Sequence, residues 1–407
     1  MSLNTTSYPV ATRRIGTTFG IFTSAFASLV LMLIILEQLG LDRAWISQLI
    51  IALPVLFYAG IGVMVRTSYV EDFFLAGQRV PPIYAGFSLS ANLVGGAGLL
   101  GLIGCFFFIG FDALPIGLGW CAGLGLMSVL FAPYLRKAGA YTLPGFLGIR
   151  LASPLLRVAA ALALMPPLIV LLAAELRIGE FVAGVFLPQD KALLLQAGLA
   201  LLLISVILGG MRSLTWTQCA QFIVALLGVV VPLVVISLLV TNLPLPQLSF
   251  GGVLREIGEL EVARALTEGA SVQPLYNALP RAAPGPLTQP FATLFQSISA
   301  ADFVALTLCI MLGTAVLPAQ IARTGTPPSV SGTRKAFGWA ALLVGFIVLT
   351  VPAYAAFAKF QAARQLLGVP ESQIAEWGTT LSQLGLISLS ANPLGDDRSN
   401  ARGTRLG

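Results

Sequence analysis

Histidine is absent from the 407 residues. Its absence removes the commonest general base, metal ligand and near-neutral proton switch together. Charge is scarce as well: Asp, Glu, Lys and Arg make up 10% of the chain, where a soluble domain carries about a quarter. Cysteine is limited to Cys105, Cys121, Cys219 and Cys309, each inside an apolar run. They read as packing residues, which argues against a disulfide framework or a thiolate metal site. No Ser-His-Asp set, metal cluster, Gly-rich phosphate loop or pair of reactive carboxylates is present, so the chain is not expected to be an enzyme. The net charge of +6 does not imply a nucleic-acid partner. In so apolar a chain the placement of Lys and Arg matters more than their sum.

What the chain has is hydrophobic length. It is 57% hydrophobic, and apolar runs of eighteen or more residues recur. That is the length at which a helix crosses a bilayer. Barrel strands would instead alternate apolar and polar residues over short segments. The expected fold class is an all-α polytopic membrane protein, with the lipid bilayer as a partner. The first run, Thr17 to Ile35, is followed by Glu37 and Gln38 without a small-residue cleavage site, so it reads as a retained span and not a signal peptide.

Nine spans are expected, near 17–37, 46–65, 83–110, 113–133, 155–187, 192–210, 214–241, 303–322 and 336–358. Pro166-Pro167 should kink the fifth. With the N-terminus inside, the inner segments hold Arg13, Arg14, Arg66, Arg79, Arg136, Lys137, Arg150, Arg157, Arg212, Arg323, Arg334 and Lys335. The short outer loops hold only Arg43 and Lys191. This asymmetry predicts a cytoplasmic N-terminus in a bacterial cytoplasmic membrane. The segment from Asn242 to Ala301 then lies outside, and its acidic stretch LREIGELEVARALTEG reads as a solvated surface helix.

Two spans carry interruptions. The third contains SLSANLVGGAGLLG (Ser88 to Gly101), with Asn92, Gly95, Gly96 and Gly98 inside an apolar run. Glycine weakens a helix, and an amide is costly in hydrocarbon without a partner. The segment is either a close helix-packing face of small residues or a deliberate opening of the backbone. The eighth span, FVALTLCIMLGTAVLPAQIAR, carries Gly313-Thr314 and then Pro318. Two interrupted spans five apart fit an inverted repeat with a midplane binding site.

The segments EDFFLAGQRVPPIYAGFSLSAN, FAPYLRKAGAYTLPGFLGIRL, GGMRSLTWTQCAQFIV and LGTAVLPAQIAR followed by RKAFGWA together resemble the sodium:solute symporter family, in particular its branch of acetate and other monocarboxylate permeases. The resemblance implies a five-plus-five inverted-repeat fold of the leucine-transporter kind. It also implies sodium-coupled symport of a small organic solute, with Na+ as the coupling ion. Residues 1–16 would be a cytoplasmic N-terminus and 17–66 two leading helices. Residues 83–241 would form the first repeat, 242–301 an extracytoplasmic loop, 303–358 the first two helices of the second repeat, and 359–407 an extracytoplasmic or disordered tail. The backbone carbonyls of Ala91 and Val94 would hold the sodium; oxygen ligands suit so hard a cation. Asn92, Gly95, Gly313 and Thr314 become substrate-binding candidates. The implied fold has ten core helices, of which the chain supplies seven, so the second repeat is expected to be incomplete and the chain unable to finish a transport cycle alone.

Charge inside the fifth span adds candidates. Glu175, Arg177 and Glu180 lie in AAELRIGEFVAGVF, where an ionisable residue is a functional hypothesis by default. Arg177 and Glu180 share a helix face, and Glu175 points elsewhere. Arg177 either anchors a carboxylate substrate or pairs with Glu180 and snorkels outward. Gln218 and Gln221, three apart in TWTQCAQF, either bond between helices or line an inner gate. Competing readings of the whole chain are a membrane sensor module of the same fold and a non-transporting remnant.

Overall fold

In the computed structural model the described residues are 8–139, 142–186, 191–267, 291, 293–295, 297–365, 389–391 and 404–406. They form an all-α polytopic membrane protein. The helices are α1 (Tyr8–Gln38), α2 (Arg43–Met64), α3 (Val70–Leu75), α4 (Pro82–Ile109), α5 (Leu114–Leu126), α6 (Ala132–Ala138), α7 (Leu143–Arg150), α8 (Pro154–Phe186), α9 (Lys191–Thr241), α10 (Pro246–Thr267), α11 (Ala300–Ala315), α12 (Pro318–Ile321) and α13 (Val330–Gln365). A short antiparallel pair, Leu389–Ala391 with Thr404–Leu406, is the one departure from helix among the described residues. The rest of the expected tail, 366–388, 392–403 and 407, lies outside them.

Six helical stretches are long and apolar enough to cross a membrane, or seven if the bent pair Ala300–Ala315 and Pro318–Gly325 is one span. Two of them, Pro82–Ala138 and Gln196–Thr241, hold 57 and 46 residues. As straight helices these would be about 85 and 70 Å long, against roughly 30 Å of hydrocarbon. Each is divided by a glycine that the chain could not replace with an L residue at low cost. Gly110, at φ +60°, opens the turn between α4 and α5. Gly210, at φ +53°, breaks α9, and a side chain there would strike the Phe73 backbone. The spans expected at 192–210 and 214–241 thus fall in one helix broken at a single residue; the intervening Met211–Ser213 is helical and not a loop. Pro166 and Pro167 both lie within α8.

The chain divides into two compact units. One comprises Met1–Gly98, Gly119–Gly228 and Ile310–Gly345. Its helices meet through small residues. Gly119 and Gly123, four apart on α5, lie against Ile310 to Thr314 of α11, and Gly86 of α4 lies against Ala336 and Trp339 of α13. In lipid, apolar burial alone does not drive helices together, so close backbone approach does much of that work.

The other unit comprises Leu99–Leu118, Val229–Cys309 and Phe346–Gly407. Its core includes Leu233, Ile257, Phe291, Val351 and Phe357. The acidic stretch expected to be solvated falls in α10 as far as Thr267, its last two residues lying outside the described residues, and α10 is tied into this core. Val253 and Ile257 are buried, four apart on one face, and Gln247 donates to Thr350 Oγ1 at 2.9 Å. Sequence reading missed Asp112. Its side chain is buried and accepts from the backbone N–H groups of Phe295 and Ser297, both at 2.6 Å. The Asp112→Ala substitution should destabilise the protein by about 2 kcal/mol, because two backbone donors lose a charged acceptor. The Asp112→Asn substitution keeps one acceptor and should cost less. Thermal unfolding of the purified protein in detergent measures both.

Candidate functional site

The candidate site is built around the interruption of α4. The helix runs regularly to Val94, then Gly95 adopts φ +50° and ψ −174°. An extended ψ turns the next peptide out of the helical path, so the amides just beyond it cannot reach carbonyls one turn back. They need another acceptor, because an unpaired amide in hydrocarbon costs several kcal/mol. Glu175 of α8 supplies it. Its Oε2 accepts from Gly96 N at 3.1 Å and from Ala97 N at 3.2 Å. The partial positive charge at the start of a helix favours a carboxylate there. The glycines also make the room: a Cβ on Gly95 would collide with the Glu175 carboxylate, and one on Gly96 would lie 3.3 Å from it. Asn92 sits one turn before this contact, with its Oδ1 buried and without a hydrogen-bond partner. Val94 is buried and Ala91 half-buried beside it.

The second interruption lies between α11 and α12, which bend by 41°. Sequence reading centred it on Gly313-Thr314, but those residues remain helical. The break is at Val316-Leu317, and its cause is Pro318. Proline has no N–H to continue the ladder and forces the preceding residue toward extended backbone. Leu317 accordingly has φ −61° and ψ 121°. Gly313 is exposed, and Thr314 packs against Gly123 of α5, so neither reaches the α4 break.

Gln320, two residues after the proline, does reach α4. It is fully buried, and its Nε2 donates to the Leu89 carbonyl at 3.2 Å. Its Oε1 has no partner. One turn further, Arg323 binds Gln218 Oε1 at 2.7 Å, Ser88 Oγ at 3.4 Å and the Ala319 carbonyl at 2.6 Å. Ser88 also donates to Gln218 at 2.8 Å. Gln218 therefore bonds between helices, one of its two expected roles. Arg323, expected among the exposed basic residues of an inner segment, is 6% exposed. The structure does not bring Arg177 to the break. Its side chain is 84% exposed and pairs with Glu180 at 3.3 Å, while Glu175, two residues earlier and on the opposite face, makes the contact.

An open apolar groove of about 560 Å³ runs between Thr142–Pro144, the Arg157–Leu168 stretch of α8, and Pro318. It offers few polar groups and does not include the α4 break.

Residues 73–380 match the model of the sodium:solute symporter family. The chain belongs to the sodium:solute symporter family. An uncharacterised symporter of Cupriavidus necator is 28% identical over 444 residues, covering 90% of this chain and 65% of that protein. A monocarboxylic acid transporter of Corynebacterium glutamicum is 27% identical over 290 residues, covering 70% of this chain and 50% of that protein. The chain thus spans between half and two thirds of the length of these two relatives. As a member of this transporter family with several apolar helices, it is a multi-pass membrane protein.

Two polar residues of the candidate site, Gln320 and Arg323, were not singled out in the sequence. Gln320 had a usable signal: an amide just after a helix-breaking proline, inside an apolar span. Arg323 had a misleading one, since an arginine at a span end also reads as an interface charge. A double-mutant cycle tests the Glu175 cap. Gly95→Ala should cost about 1–3 kcal/mol from positive φ and the clash with Glu175. Glu175→Ala should cost about 1–3 kcal/mol by leaving two amides unpaired. Combined, the two should cost less than their sum, because removing the carboxylate relieves the clash. Strict additivity in thermal unfolding would place the two residues out of contact.

Proposed function

We propose that the chain binds sodium and a small organic solute for sodium-coupled symport, with a monocarboxylate as the preferred class. The observation that carries this reading is the junction of two interrupted helices, α4 and α11/α12, through Gln320 and the Leu89 carbonyl. Interrupted helices near a midplane supply carbonyls for a cation and amides for an anion, and transporters use both. The monocarboxylate class rests on the resemblance to that family branch and on the similarity to the monocarboxylic acid transporter of Corynebacterium glutamicum. A five-plus-five inverted repeat, alternating access and a cytoplasmic N-terminus in a bacterial cytoplasmic membrane belong to the same proposal.

The residues divide the work by chemistry. The carbonyls of Ala91 and Val94 precede the break and belong to the negative end of the first half-helix. Neutral carbonyl oxygens suit a small monovalent cation. Gly96 and Ala97 begin the second half-helix, and their amides suit a carboxylate. Glu175 holds that position, so an incoming carboxylate has to displace it. Glu175 and Gly95 thereby govern access to the anion position, with Asn92 on the cation side. In this reading Arg177, Gly313 and Thr314 lie outside the binding set.

Binding by the purified chain in lipid nanodiscs tests the proposal. Sodium should tighten radiolabelled propanoate binding by about tenfold, and propanoate should tighten sodium binding by the same factor, since coupling is reciprocal. Potassium at equal ionic strength should not substitute. Equal affinity in sodium and potassium would remove the coupling assignment, and lack of affinity for any short monocarboxylate would remove the substrate class.

A further inference from the structure

The open groove of about 560 Å³ beside α8 takes no part in the α4 break. Its floor is one stripe of α8. Arg157, Ala161, Met165 and Leu168 all line it, and their helical spacing keeps them on a single face. Pro318 and Ala322 complete the wall. Arg157 is the one charged residue of the lining, and it stands at the end of the stripe. Thr142, the other polar residue there, already caps α7 by accepting from Gly145 N at 3.1 Å.

The stem of Arg157 is seated and its head is free. A Cβ on Gly148 of α7 would lie 2.8 Å from Arg157 Cβ, so the bare glycine gives the stem its place. Among the described residues the guanidinium has no hydrogen-bond or ion-pair partner. The local sequence supplies no acid either: between Asp112 and Glu175 it holds Arg136, Lys137, Arg150 and Arg157 and neither Asp nor Glu. Arg150 stands in the last turn of α7, two residues past Gly148. The length of the stripe is that of one leaflet. Arg157 to Leu168 spans roughly 16 Å at helical rise, half of a hydrocarbon core of about 30 Å.

We propose that the groove holds an anionic phospholipid, with its phosphate on the Arg157 guanidinium and one acyl chain along Ala161, Met165 and Leu168. An unpaired arginine at the end of an apolar trough matches an amphiphile of opposite charge, not an uncharged chain alone. Guanidinium binds phosphate through paired, charge-assisted hydrogen bonds. Basic pockets between membrane helices on the cytoplasmic side take anionic headgroups, and the proposed cytoplasmic N-terminus puts Arg157 on that side. The seated chain packs against Pro318, the residue that breaks the second interrupted span.

The purified chain in detergent is titrated with phosphatidylglycerol and with phosphatidylcholine of the same acyl chains, and bound lipid is counted by native mass spectrometry. Arg157→Gln removes the charge. Ala161→Phe fills the trough and keeps the charge, so that poor folding of one variant leaves the other. Lys335→Gln, at an exposed position of α13, controls for net charge. The wild type should hold phosphatidylglycerol about fivefold or more tighter than phosphatidylcholine, and Arg157→Gln should bring that ratio to within about twofold of unity. Ala161→Phe should weaken phosphatidylglycerol binding by about fivefold through overpacking of the trough. Lys335→Gln should change neither. Equal retention of the two lipids by the wild type would overturn the proposal. So would a preference that survives both Arg157→Gln and Ala161→Phe, or one that Lys335→Gln removes as completely as Arg157→Gln. Displacement of the lipid by inorganic phosphate at equal concentration would make Arg157 an ion site without a chain. A dimer that Ala161→Phe dissociates would give the groove to a second copy of the chain. None of these outcomes bears on the symport reading, which the sodium and propanoate measurements decide separately.

Discussion

A backbone amide inside a membrane has no water to fall back on, and the architecture around α4 follows from that constraint. Breaking a helix in hydrocarbon strands donors and acceptors that must be satisfied by protein. In this chain the break at Gly95 strands the amides of Gly96 and Ala97, and a carboxylate from α8 accepts from both. A neutral acceptor would satisfy the hydrogen bonds but not the helix-end charge. A carboxylate satisfies both, which accounts for Glu175 standing inside a membrane span. The same constraint explains why two consecutive glycines are needed: the first for its dihedrals, the second because the carboxylate sits 3.3 Å from where its Cβ would be.

The break could still collapse if the surrounding helices were free to slide. Ser90 limits this by donating to the carbonyls of Gly86 and Ala340, at 2.9 and 3.4 Å. Gly86 lets α13 approach closely enough for that contact. Further along, Arg323 gathers Ser88 from α4 and Gln218 from α9. Its partners Ser88 Oγ, the Ala319 carbonyl and Gln218 Oε1 are neutral oxygens, so among the described residues its charge is dispersed over dipoles and is not cancelled by a carboxylate. Such bonds are individually weaker than an ion pair between full charges. The guanidinium fork compensates by making several of them in fixed directions, which suits it to tie three segments together at one point.

Much of this was legible in the sequence, and the reasons differ by feature. The all-α polytopic class follows from apolar length, which needs no tertiary information. The α4 interruption was legible because glycine, serine and asparagine stand where hydrocarbon tolerates them poorly. Its location at Gly95 was not, since Gly95, Gly96 and Gly98 are equivalent to a reader of sequence; only the approach of Glu175 singles one out. The second interruption was misplaced by a few residues because Gly313 drew attention from Pro318. Proline is the stronger breaker of the two, as it removes a donor and restricts its neighbour, whereas glycine only permits a break.

The intramembrane charges show where sequence reasoning reaches its limit. Helical periodicity correctly separated Glu175 from the Arg177 and Glu180 face, but periodicity cannot say which face looks inward. Arg177 drew the functional role because a buried arginine in an apolar span is costly and an anionic solute would explain it. In the structure Arg177 is exposed beside its own partner, and the carboxylate that seemed secondary lies at the broken helix. The two assignments imply opposite electrostatics. An arginine at the break would attract an anionic solute directly. A glutamate there accepts from both amides itself, so in the proposed reading a carboxylate reaches them only as far as Glu175 yields.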